Sequence, residues 1–418
     1  MELQESGPKI TFLLRILYQL PTILVSTLTI IAISRNLGPS GRGEVSQILL
    51  ISVLASNVLC IPIFLAIMNL RDSTQIKTYI SHSLFLFSPR NILVVILLNA
   101  YYFAISPIND RGINVPMAVC VNALALFYFI SAQIRDLFLR FHINKIYGLD
   151  FLVHLIISVS VLVLLLFQDL NAKRVIEIFT VVYGLLSVQL LFQLNSRVIE
   201  FRVMNLFKKQ SLDDFNLKRI DKEYSRSGVL FQVALSKDLL LGSIFLSKSD
   251  FGLMSALTSF WVIVRFLRPS AVIQTKISEV KATTSGLTNR ISVIRKSSNS
   301  TVYLQTAAIA VMGFLGYELT PILMGKGFRP GVIMAVSGFA AEILLMNSLF
   351  NLSTTTSKLS QNLFTFLCLF QVIILFLLKM SFGSISATTI WTLSCATYIL
   401  FRAEELIRRK LWNYPKTH

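Results

Sequence analysis

The chain has 418 residues, 54% of them hydrophobic and only 14% charged, with a formal net charge of +18 and a mean hydropathy of +0.68. A soluble domain carries about 25% charged residues, so this composition excludes an ordinary globular protein and places the chain in a membrane. The positive charge does not mark a nucleic-acid binder either, because it is concentrated in one set of loops.

Crossing a hydrocarbon core of about 30 Å takes roughly 20 apolar residues of helix. Twelve such runs are predicted, at 11–34, 45–68, 80–105, 114–133, 149–168, 175–196, 228–247, 250–273, 300–320, 330–352, 360–380 and 384–403. Pro89, Arg90 and Asn91 interrupt the third. No short apolar segment with a small-residue cleavage site opens the chain, so the first span is expected to stay in the mature protein. Between spans 1 and 2 lies "ISRNLGPSGRGEVSQ" (33–47), where Gly38-Pro39 ends a helix and Gly41 and Gly43 give the backbone dihedrals closed to other residues.

With the N-terminus in the cytoplasm and strict alternation, and with Arg15, Arg268 and Arg402 near span ends counted to the cytoplasm, 27 of the 39 Lys and Arg fall on the cytoplasmic side and 9 on the other, while Arg90, Lys237 and Arg265 lie deeper in spans. That bias is the positive-inside pattern. Both termini are expected in the cytoplasm, with the basic loops against anionic lipid headgroups.

One loop is long. It carries eight basic residues between 197 and 227, interleaved with acidic ones, and its midpoint lies near half the chain. The expected organisation is an N-terminal six-helix lobe (1–198), a charged cytoplasmic linker (199–227) and a C-terminal six-helix lobe (228–418). Gly43 and Gly252 are 209 positions apart and Pro62 and Pro269 are 207 apart, as parallel repeats with an even number of spans would place them.

Catalytic and metal motifs are missing. Cys60, Cys120, Cys368 and Cys395 all fall in spans and read as small apolar packing residues. "MGKGFR" is no phosphate loop, since Thr320 stands at the first Gly position and Gly327 follows Lys326 where Ser or Thr is required. His154, about one turn into span 5, reads as an interfacial packing residue.

The informative residues are ionisable groups at membrane depth. Asp238 lies about 15 Å into span 7 at 1.5 Å per residue, and Glu342 is at similar depth in span 10. Arg265 sits near the cytoplasmic end of span 8 with Arg268 on the same face. Arg90 is mid-span if span 3 begins near 80. Lys237 precedes Asp238, but consecutive helix positions point about 100° apart, so the two need not pair. Each charge costs about 2.5–3.5 kcal/mol at a helix centre, so five facing lipid would cost roughly 12–18 kcal/mol. They must face a wet cavity or one another. Arg15, one turn into span 1, reaches the cytoplasmic interface by snorkelling. Either Arg–carboxylate pairs lock the lobes, or Arg265, Arg268, Arg90, Lys237 and Arg15 form a substrate site and Asp238 and Glu342 couple to H+ or Na+.

Four stretches in register resemble one family: "SRNLGPSGRGEVSQ", "LFLRFHINKIYGLDFL" (137–152), "DLLLGSIFLSKSDFGLMSAL" (238–257) and "ILMGKGFRPGVIMAVSGF" (322–339). They are similar to the first external loop, the span 4–5 stretch, spans 7–8 and the start of span 10 of the polysaccharide transporter, or O-antigen flippase, family of the multidrug/oligosaccharidyl-lipid/polysaccharide (MOP) exporter superfamily. Arg42 between the glycines and Lys237 beside Asp238 depart from its pattern. The resemblance implies an all-α membrane protein with two six-helix lobes in a V like that of MATE transporters. It implies a flippase in the bacterial cytoplasmic (inner) membrane that moves a polyprenyl-pyrophosphate-linked oligosaccharide by alternating access, alongside polysaccharide polymerase machinery. The first hairpin would then be structural, or touch a passing saccharide through Arg35 or Arg42. Two other readings stay open: an ion-coupled exporter of cationic drugs, and a membrane-embedded polymerase or glycosyltransferase.

Overall fold

The computed structural model describes residues 12–59, 78–79, 81–108, 115–141, 143–167, 170–197, 206, 229–230, 233–265, 307, 310–311, 313–354 and 358–412. Regular structure among them is entirely helical: α1 (Phe12–Leu59), α2 (Pro89–Ile108), α3 (Val115–Phe141), α4 (Ile143–Leu166), α5 (Ala172–Arg197), α6 (233–245), α7 (Lys248–Arg265), α8 (313–324), α9 (Val332–Thr354), α10 (Lys358–Phe382) and α11 (Ala387–Trp412). Within α1 the apolar stretch Leu20–Ser56 runs 37 residues. As one rod it would measure about 56 Å, nearly twice a bilayer core. It is two arms, parted at Gly38, whose φ of 65° and ψ of −177° leave the helical region. Glycine accepts that positive φ freely, and Pro39 then opens the second arm where no backbone donor is needed. With the arms counted separately the described helices number twelve, and the chain is a multi-pass, all-α membrane protein.

Short polar caps start the helices. Ser88 accepts the Asn91 amide at 3.1 Å, Pro89 takes the first helical position, and the Asn91 side chain donates to Phe85 O at 2.7 Å. Asn171, Ser247 and Ser386 cap α5, α7 and α11 in the same way. Two of the turns are closed by glycines of positive φ, Gly325 (106°) after α8 and Gly383 (73°) after α10.

The start of α2 corrects one expectation. Hydropathy alone starts span 3 near 80, which would put Arg90 in mid-membrane; the Ser88 cap fixes the start at Pro89, so Arg90 stands in the first turn. At its other end the chain departs from the forecast too, because α11 runs on past 403 to Trp412.

The chain divides into two compact units, one built on Pro21–Leu37 and Glu44–Ser236, the other including Gly38–Gly43 and Lys237–His418. In the first, α3, α4 and α5 pack around Phe129, Ile134, Ile157, Val161, Leu190 and Leu194. Leu155, Val159 and Leu162 on α4 and Leu185, Val188 and Phe192 on α5 face outward although apolar, as a lipid-bathed surface requires. Buried hydroxyls turn back onto their own helices, as Thr180 does onto Ile176 O at 2.8 Å. Asn99 of α2 and Asn122 of α3 exchange amide hydrogen bonds of 3.0 and 2.8 Å, the interhelical polar contact that hydrocarbon favours.

In the second unit α9, α10 and α11 enclose Phe364, Trp391, Tyr398 and Phe401. Lys379, in the last turn of α10, donates to Phe245 O at 3.2 Å and so closes the C-terminal end of α6. The hairpin residues Gly38–Gly43 lie against the first turns of α7. A methyl group on Gly43 would stand 2.0 Å from Lys248 O, and one on Gly252 would stand 1.8 Å from Pro39 O. These are the glycines 209 positions apart in sequence, and here they touch.

Candidate functional site

Inside the second unit three helices bring polar side chains together in an apolar surround. α6 supplies Lys237 and Asp238. From α10 comes Gln371, set in the run "LFQVIILF". α11 supplies Ser394, Thr397 and Tyr398, which share one face with Ile390 at four, seven and eight residues' remove.

Lys237 is 4% exposed, so each of its three N–H donors needs a partner. Its Nζ donates to Gln371 Oε1 at 2.5 Å and to Ser394 Oγ at 3.0 Å, and lies 3.3 Å from Asp238 Oδ1. The ring of Tyr398 covers the remaining side, with its centroid 4.5 Å from Nζ. Ser394 gives its proton to Asp238 Oδ1 at 2.5 Å while accepting from Gln371 Nε2 at 2.8 Å. Gln371 Nε2 also reaches Ile390 O at 3.4 Å, and the Thr397 hydroxyl, whose shorter bond is to Leu393 O at 3.0 Å, lies 3.3 Å from Gln371 Oε1. The result is a closed network holding one positive and one negative charge. Asp238 stands at its edge, its side chain more exposed than that of Lys237.

Adjacency on a helix left open whether Lys237 and Asp238 pair. The structure pairs them, because both side chains bend toward the Ser394 hydroxyl, which bridges them. A lysine read as a substrate ligand and an aspartate read as an ion site are therefore one unit. Their partners Gln371, Ser394, Thr397 and Tyr398 escaped the sequence reading, although a glutamine inside the otherwise apolar run "LFQVIILF" was the signal available for one of them.

The other forecast residues lie elsewhere. Glu342 is buried at mid-helix in α9, 4% exposed. Arg15 and Arg90 occupy early positions of α1 and α2, and Arg265 is the last residue of α7; their side chains, and the whole of Arg268, Pro62 and Pro269, lie outside the described residues. Among the described residues no three of His, Cys, Asp and Glu come together as a metal site.

No family model and no curated protein matches the sequence. Solved structures do match the fold. A MOP-superfamily transporter from Pyrococcus furiosus, in which reversed polarity of the binding pocket suggests a different function, superposes with a TM-score of 0.60 at 13% identity over 97% of each chain. A multidrug-resistance MATE-family transporter of the MOP superfamily in an outward-facing conformation gives 0.58 at 12% identity over 97% of each chain. A MATE protein in complex with MaL6 gives 0.56 at 12%, again over 97% of each chain. From end to end, the chain has the fold of these transporters.

Proposed function

We propose that this chain is a secondary transporter of the MOP type, not an enzyme, and that it works by alternating access. The observation that carries the reading is the Lys237–Asp238 pair buried among Gln371, Ser394 and Tyr398. A charge pair in the interior of a membrane bundle is costly unless its bonds are complete. Such a pair is useful where completing and breaking those bonds biases two conformations. A proton or Na+ arriving at Asp238 takes the Ser394 hydrogen bond and removes the counter-charge of Lys237. The network that ties α6 to α10 and α11 then loosens. Asp238, with Glu342, is the coupling group in this reading. Transport by Asp238→Asn in vesicles loses its dependence on an imposed gradient, and full gradient-driven transport by that variant would refute the assignment.

The substrate we favour is a polyprenyl-pyrophosphate-linked oligosaccharide in a bacterial inner membrane, flipped for O-antigen or capsule assembly. It is supported by the four family-like stretches and by the basic residues Arg15, Arg90, Arg265 and Arg268, whose planar guanidinium groups suit phosphate oxygens. Restored surface polysaccharide in a flippase-deficient strain is the expected outcome. Export of cationic amphiphiles is the second reading. It is favoured by the partly buried Asp238 and the buried Glu342 against the single Lys237 among the described ionisable groups of α6 and mid-α9, and by the multidrug transporters that share the fold. Drug resistance without polysaccharide output decides for it. Cytoplasmic termini, the third part of the proposal, are read from reporters fused after Leu206, Gly252 and His418, with the signal outside only at Gly252.

A further inference from the structure

A second buried cation takes no part in the network around Lys237. Arg42, 7% exposed, lies in the hairpin that meets α7. Its Nη2 donates to Ser259 Oγ at 3.1 Å, and its Nε is buried without any hydrogen-bond partner. Among the described residues its guanidinium forms no ion pair. A guanidinium carries five N–H donors and stays charged throughout the physiological range. One bond and no counter-charge among the described residues leave it far from satisfied, and an isolated buried charge is costly to keep.

The surroundings explain why no described residue fills the gap. The close approach at Gly43 and Gly252 presses this turn onto α7, leaving no room for a side chain at either position. Beyond Gly252 on the same face stand Ser255 and Ser259, one and two turns along. Their protons are committed to Gly252 O at 3.0 Å and Ser255 O at 2.8 Å. Ser259 can therefore only accept from Arg42, which holds the guanidinium by Nη2 while its Nε, enclosed in this conformation, keeps an unmet donor.

We propose that Arg42, oriented by Ser259, is a binding site for a phosphate oxyanion on the Nε edge of its guanidinium. The hairpin joins two spans and so stands near the level of the lipid headgroups, where phosphate is the abundant oxyanion. Arginine's fork matches its geometry. The phosphate comes either from an anionic lipid or from solution. The site does not depend on which substrate is transported, and its test is one of binding alone.

The purified full chain in neutral detergent is titrated with dioctanoyl phosphatidic acid, with dioctanoylglycerol as the phosphate-free control, and separately with sodium phosphate against sodium chloride at equal ionic strength. Thermal unfolding and native mass spectrometry report binding. Phosphatidic acid is expected to bind the wild type and raise its unfolding temperature. Arg42→Gln should weaken the affinity about tenfold or more. Arg42→Lys keeps the charge without the fork, and its affinity should fall between the two. This second variant also preserves the test if the glutamine variant does not fold. Binding of phosphatidic acid alone assigns the site to a headgroup, and a matching response to sodium phosphate assigns it to a phosphate open to water. Equal affinities in wild type, Arg42→Lys and Arg42→Gln, or no binding of either probe, would overturn the proposal.

Discussion

Gln133 in α3 and Gln371 in α10 are both buried glutamines in apolar membrane helices, 1% and 2% exposed. Both amide atoms of Gln371 are engaged, holding Lys237, Ser394 and Thr397 in place. Neither amide atom of Gln133 has a partner. The contrast follows the two units. Apart from Glu44 beside the hairpin, the described buried polar groups of the first unit are neutral, and they bond mainly to carbonyls of their own or adjacent helices. The second unit holds Arg42, Lys237, Asp238 and Glu342. A neutral hydrogen bond changes little when a proton or a cation arrives, whereas a charge pair changes by a whole electrostatic interaction. Among the described residues, then, nearly all the buried or partly buried charge lies in the second unit, and under the proposed function that is where switching would occur.

The largest test of this contrast removes the lysine. Lys237→Met leaves Asp238 without its cation and should cost about 3–5 kcal/mol, read as a fall in unfolding temperature in detergent. Adding Asp238→Asn to it should recover a large part of that loss, and an additive double variant would show that the two residues are not a unit. Next in size, Gln371→Leu strips two acceptor and donor contacts from the network and should cost about 1.5–3 kcal/mol, since one of its bonds is to a charged group. Gly252→Ala, which tests the hairpin contact, should cost about 1–3 kcal/mol through overpacking against Pro39 O. The smallest effect closes the comparison: Gln133→Leu should leave stability within about 1 kcal/mol of wild type and on the stabilising side, because it deletes an amide that is buried unsatisfied. A loss equal to that of Gln371→Leu would erase the distinction between the units.

Much of the architecture was legible in the sequence because lipid imposes a length and a polarity on every span. The predicted runs at 330–352 and 360–380 lie within two residues of α9 and α10 at each end. Where the forecast slipped, a local cap outweighed hydropathy, as Ser88 and Pro89 did at the start of α2. The site was half legible. An ionisable residue in an apolar run announces itself, so Lys237, Asp238 and Glu342 stood out. Ser394 and Thr397 did not, since a hydroxyl in a membrane helix commonly satisfies itself on the preceding turn, as Thr397 does on Leu393 O, and only the packing of α6 against its neighbours reveals that Ser394 reaches outward. The pairing of Gly43 with Gly252 was visible as a spacing, but a spacing cannot say that the two residues meet.

The break at Gly38 has a consequence for how the protein is made. A side chain there would meet nothing within 4 Å, so only the left-handed backbone conformation, which costs an ordinary residue about 1–3 kcal/mol, guards the position. Straightened, Leu20–Ser56 would leave the translocon as a single crossing, and every later segment would be threaded with inverted parity. Each basic loop would then be pulled toward the compartment that the 27-to-9 charge bias opposes. In the proposed topology Gly38, with Pro39 after it, would set the odd–even count on which the orientation of the helices after it depends, and its loss should show at membrane insertion before any transport assay.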